Sequence, residues 1–148
     1  MNLGIYLKNI SKSDEFDIAY DILSYSINNK LIDDGCVFYD NIGQINRATN
    51  FGLFNSTDIW NFHGNLLVFS LDSARLALNI VNNFNIYYLY GLETKINLLN
   101  TIDLLNHGLK VICINKKDKK NFYRTTGTFP IGTSNRTKNI VNYLVGEK

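Results

Sequence analysis

Apolar residues recur along this chain in short runs, separated by polar stretches with helical spacing. The first run, NLGIYLK, reads as a strand, and behind it Ser11 and Ser13 with Asp14 and Glu15 supply a cap and first-turn acids for a helix. Phe16, Ala19, Tyr20, Leu23 and Ile27 then form one stripe that would pack on a sheet. Asp33-Asp34-Gly35 turns the chain into CVFYD. The opening unit is therefore strand, helix, strand, for which a parallel pair with a right-handed crossover is expected.

Between Asn41 and Gly64 the pattern loosens, with Gly43, Gly52 and Gly64, a short strand candidate FGLF, and Ser56-Thr57-Asp58 as a cap for a turn of helix through Trp60. Loops carried on a rigid scaffold commonly hold binding groups, so residues 41–64 are a candidate binding surface. The cadence then becomes strict. LLVFSL precedes a helix from Asp72 or Ser73 to Asn82, and NIYYLYGL precedes a helix from Thr94 to Asn106. LKVICI precedes a short helix from Lys117 to Arg124, and FPIG leads to a last helix from Ser134 to Val145. Gly108 and Gly127 stand where glycines commonly end helices. The central runs are apolar nearly throughout, as in parallel strands covered on both faces. The fold expected is a single α/β, Rossmann-like domain over residues 1–148, with a mostly parallel sheet of about five to six strands and helices on both faces.

A chain of 148 residues is long enough to bury roughly two thirds of its unfolded surface in one core. Its 45% hydrophobic and 13% aromatic content excludes a disordered chain. Asparagine, roughly one residue in seven, and a single proline look like AT-rich coding sequence, as in many tailed phages or reduced bacterial genomes. The formal charge of +2 lacks the basic excess of a general polyanion binder, which argues against nucleic acid as a partner. Cys36 and Cys113 sit inside apolar runs, which fits buried free thiols in a reducing cytoplasm. The start carries no signal-peptide pattern and no run is long enough to span a bilayer, so no membrane role is expected.

Four predicted strands run out into polar residues: Asp40, Asp72, Glu93 and Asn115. In an open α/β sheet ligands bind beyond the carboxyl ends of the strands, so these residues are candidates for one site. Asp72 also precedes Ser73-Ala74-Arg75 as a helix cap would, and Asn115 as readily starts a turn. Glu93 is the one that resists a structural account, since Thr94 makes the better cap. His63 follows Asp58, Trp60 and Phe62 and leads toward Asp72, which makes it a candidate general base, or else a loop histidine bonded to backbone. Trp60 and Phe62 form either an aromatic platform or loop anchors. Glu93, His63 and Asp72 are thus the catalytic candidates, and Asp40, Asp58, Trp60 and Asn115 the substrate-binding ones. The sequence holds no GxGxxG, Walker A, HExxH, CxxC or GxSxG pattern, and no cofactor or metal is expected.

The segments NLGIYLKN, NIYYLYGLE with Glu93, LKVICINKKDKKNFYRTTG and TFPIGTSN follow one another in an order that resembles the N-terminal, acceptor-side domain of GT-B glycosyltransferases, especially small phage-encoded glycosyltransferase-like proteins. The resemblance covers nearly the whole chain by cadence, without a diagnostic motif. It implies a sugar nucleotide or glycan acceptor as ligand. The family's glycine-rich loop after strand one is absent, and its second, donor-binding domain has no counterpart. The implied function is a sugar- or nucleotide-binding half of a GT-B enzyme, degenerate or dependent on a partner protein or a second copy. A non-catalytic phage accessory protein acting through protein contacts is the rival, and a small nucleic-acid module using Lys116 to Lys120 is a third reading.

Overall fold

The computed structural model describes residues 1–80, 84–93 and 97–146. The strands are β1 (Asn2–Ile10), β2 (Asp34–Ile42), β3 (Gly52–Asn55), β4 (Gly64–Val68), β5 (Phe84–Tyr90), β6 (Lys110–Cys113) and β7 (Gly132–Thr133). All are parallel in one sheet of order β3-β2-β1-β4-β5-β6-β7. This is a Rossmann-like α/β domain, with seven strands where the apolar runs led to an expectation of about five to six. The direction of strand succession reverses between β1 and β4, which defines the topological switch point.

The helices are α1 (Asp14–Asn28), α2 (Leu71–Leu78), α3 (Leu98–Asn106), α4 (Lys116–Thr126) and α5 (Thr137–Val145), with a 3₁₀ helix over Ser56–Asn61. The expected helix end at Asn82 and helix start at Thr94 lie outside the described residues. Helices α1 and α5 cover one sheet face, where Leu3, Ile5, Leu7, Val37, Leu67, Leu89 and Ile112 meet Phe16, Ile22, Leu23, Val141 and Leu144. The opposite face carries the alternate residues, among them Tyr6, Phe38, Val68, Tyr88 and Cys113, against α2, α3, α4 and the 3₁₀ helix. This two-sided burial explains why the strands read as continuous apolar runs. Each fully buried aliphatic side chain contributes about 1.5–3 kcal/mol relative to exposure.

The irregular stretch after β2 divides between the faces. Its first part straps onto α1: the Tyr20 hydroxyl donates to the Ala48 carbonyl at 3.2 Å, Arg47 pairs with Asp17 at 3.2 Å, and Phe51 packs edge-on against Tyr20. In the second part Leu53 of β3 still packs on the α1 face, while Phe54 and the 3₁₀ helix lie on the face shared with α2. Within the described residues no helix is long and apolar enough to cross a membrane.

Candidate functional site

The starts of α1, α2 and α4, at the carboxyl edge of the sheet, are capped by side chains. Ser13 Oγ accepts from the Phe16 N–H at 3.3 Å, Ser70 Oγ from the Ser73 N–H at 3.1 Å, and Asn115 Oδ1 from the Asp118 N–H at 2.9 Å. The Asp72 cap expected from sequence is thereby corrected. Strand β4 ends at Val68, Ser70 takes the cap position, and Asp72 stands exposed in the first turn of α2, where a carboxylate complements the helix dipole. Asn115 is the cap of α4 and is exposed.

Glu93 lies beyond the end of β5 and is folded back by Gly91, whose φ of +124° suits glycine. A side chain at Gly91 would also press on the Asp118 carboxylate, 2.6 Å from the Cβ position. So placed, Glu93 Oε2 accepts from the Leu71 N–H at 3.1 Å and from the Tyr88 hydroxyl at 2.6 Å. One first-turn amide of α2 is thus satisfied by a residue remote from its cap. Burial, then the bond to Glu93, raises the Tyr88 pKa, so the phenol keeps its proton and acts as donor. The structural account missing from the sequence is this tie between the end of β5 and the start of α2. Glu15, in the first turn of α1, is held above its ordinary carboxyl pKa by burial and then by the charge of Glu93.

A cavity of about 210 Å³ opens at the switch point, lined by Lys8, Asn9, Glu15, Ser70 and Ser73 above Tyr6. The Tyr6 hydroxyl donates to Asp40 on β2, at 2.9 and 3.1 Å to the two carboxylate oxygens. Burial, then the Asp40 carboxylate, pushes the Tyr6 phenol up to about 12. Tyr6, Val68 and Tyr88 share one rung of the sheet. The two phenol–carboxylate pairs therefore stand two strand spacings apart, about 10 Å.

Tyr6 also borders a second cavity, of about 330 Å³, between the 3₁₀ helix and α2. Asp40, Ser56, Thr57, Trp60 and Leu76 line it, with Trp60 58% exposed. Two of the sequence candidates, Asp40 and Trp60, thus meet in one cavity, and Tyr6 joins it to the switch-point crevice.

The other candidates disperse. His63 is exposed and precedes Gly64, which pairs with Phe84 at the amino end of β5. The run from Phe84 to Tyr90 rises about 20 Å at roughly 3.3 Å per residue, so His63 and Glu93 stand at opposite ends of the sheet. The structure does not bring His63 to the strand-end carboxylates. Asp58 lines a separate cavity near the amino ends of β1 and β2. Both cysteines are free and buried, their thiols pushed up to about 12 chiefly by burial. Among the described residues no cluster of three or more histidine, cysteine or acidic side chains could hold a metal ion.

Tyr6, Tyr88 and Ser70 were not among the sequence candidates, and Glu15 and Ser73 figured there only in helix starts. A signal was present for the tyrosines, because a phenol within an apolar strand usually needs a partner for its hydroxyl. No family model, curated protein or solved structure matches the chain.

Proposed function

We propose that this domain binds a sugar-sized, hydroxyl-rich ligand and is the acceptor-side half of a glycosyltransferase-like site, active only when a partner chain or second domain supplies the donor half. The observation that carries the reading is the convergence of Asp40 and Trp60, with the Tyr6 hydroxyl, on one cavity beside the switch point. Sugar sites pair an apolar ring face with acceptors for hydroxyl protons, and this cavity offers an indole, a carboxylate and the Ser56 and Thr57 hydroxyls. Its volume of about 330 Å³ is near the lower end of small-molecule pockets, which suits a monosaccharide group better than an entire sugar nucleotide. The first β-to-α connection, Ser11 to Ser13, has no glycine, so close backbone approach by a pyrophosphate is not prepared.

Catalytic roles follow position. Glu93 Oε2 already accepts two hydrogen bonds, which suits it to holding α2. Asp72 is exposed at the same edge, and His63 belongs to the other end. Activity in isolation is not expected, because the other half of the cleft has to come from another chain or domain.

The rival reading, a non-catalytic interaction protein, draws on the apolar residues exposed along α3 and near β7. Leu99 is 78% and Phe129 66% exposed, and Phe129 stacks on Tyr123 at 4.2 Å. Such a surface would equally receive a donor half. A thermal-shift and calorimetric panel of neutral sugars, nucleoside diphosphates and sugar nucleotides separates the readings. A sugar hit weakened about tenfold by Asp40→Asn and by Trp60→Ala supports the half-site. A panel with no hit, or hits indifferent to both changes, favours the rival.

A further inference from the structure

A third cavity, of about 360 Å³, opens on the same sheet face at its amino end, where Asn2 of β1 pairs with Asp34 of β2. From Asp34 to Asp40 the strand rises about 20 Å, and the 3₁₀ helix stands between this cavity and the sugar site, lending Asp58 and Asn61 to the one and Ser56, Thr57 and Trp60 to the other. Its apolar lining is Cys36 with the Phe38, Phe54 and Phe62 rings, of which Phe38 and Phe62 are buried and Phe54 is exposed, and its polar lining is Asn2, Asp34, Asp58 and Asn61. The Phe38 ring meets Phe62 edge-on at 5.4 Å and lies 6.2 Å from Phe54.

Two glycines permit this ring arrangement. A Cβ at Gly4 would stand 3.0 Å from both the Phe38 and Phe62 rings, so β1 leaves them room to lie against the sheet. A Cβ at Gly52 would fall 2.4 Å from the Phe54 ring, which folds back over that glycine. Phe54 remains 46% exposed, so the wall it forms is open to solvent. The charge at the margin has one sign. Lys and Arg are missing from the lining, and the nearby Met1 ammonium pairs with Asp33 rather than with Asp34 or Asp58. Asp34 and Asp58 take part in no ion pair among the described residues.

We propose that this cavity is a binding site for a small organic cation, an alkylated ammonium head seated against the phenylalanine rings and balanced by Asp34 and Asp58. Ring faces attract a desolvated cation through their quadrupole, and alkylation spreads the charge over an apolar surface that fits the rings. An anion would meet two carboxylates, and a neutral ligand would gain only the apolar contact. The site shares no lining residue with the proposed sugar half-site, although both border the 3₁₀ helix Ser56–Asn61.

The test is calorimetric titration at low salt with choline and with its neutral isostere 3,3-dimethylbutan-1-ol, on the intact protein and on Phe54→Ala and Asp58→Asn. Both altered side chains are exposed, so thermal melting should barely move. Choline should bind about tenfold or more tighter than the isostere, and each substitution should weaken choline about threefold or more. Absence of choline binding, equal binding of the isostere, or choline affinity unchanged in both variants would each overturn the proposal. Any sugar bound at the carboxyl end should keep its affinity in both variants.

Discussion

The two faces of this sheet are built from alternate residues of the same strands, yet they differ in chemistry. Toward α1 and α5, β1 presents Leu3, Ile5 and Leu7 to a mainly aliphatic cluster with Tyr87 buried in it. Toward α2 it presents Gly4 and Tyr6, and the same face carries Phe38, Asp40, Tyr88 and the ring-lined cavity. A one-residue offset along a strand thus separates a structural surface from the one holding the candidate sites. Gly4 illustrates how the second face keeps its space, because a side chain there would crowd two rings.

The largest test of this contrast is Leu67→Ala, which removes a side chain fully buried on the α1 face. Urea denaturation should show a loss of about 2–5 kcal/mol, while any ligand bound on the opposite face keeps its affinity below the transition. Altered affinity in the folded variant would mean that the faces are not separable. Tyr88→Phe acts on the other face, deleting the 2.6 Å donor to Glu93 while keeping the ring. It should cost about 1–2 kcal/mol, since Glu93 still accepts from Leu71. If Glu93→Gln and Tyr88→Phe destabilise additively in a double-mutant cycle, the tie between β5 and α2 is not a coupled unit.

A smaller effect is expected at Glu15, whose carboxyl is raised from its ordinary value of 4.5 by burial and by Glu93. A raised acid pKa favours the protonated form in the folded state, so the folded protein loses stability as pH climbs from 4.5 through the raised value. Glu15→Gln should therefore melt higher than the parent near neutral pH, with the gap closing below pH 4.5. A gap that is independent of pH would mean that charge at Glu15 is not its cause.

Much of the fold was legible because two-sided burial writes parallel strands as apolar runs and the helices as stripes between them. The cap of α2 was not. Ser70, Asp72 and Ser73 are all competent caps, and the choice among them is made by where β4 stops pairing with β5, at Val68 and Tyr88. β7, only Gly132 and Thr133, is too short to leave a pattern and is defined by its partners on β6. At the candidate site, the strand-end carboxylates led to Asp40 and Glu93, whereas their tyrosine partners depend on register. Nothing local places His63 at the amino end of the sheet. Only the direction of β4 does so.

Trp60 is the single tryptophan of the chain and borders the cavity assigned to the sugar, so its emission reports that site without a label. The most direct measurement is a titration of Trp60 fluorescence with whichever neutral sugar most stabilises the protein. The account predicts a saturable blue shift in the parent, weakened about tenfold or more in Asp40→Asn. A sugar that raises the melting temperature yet leaves Trp60 emission unmoved would contradict it.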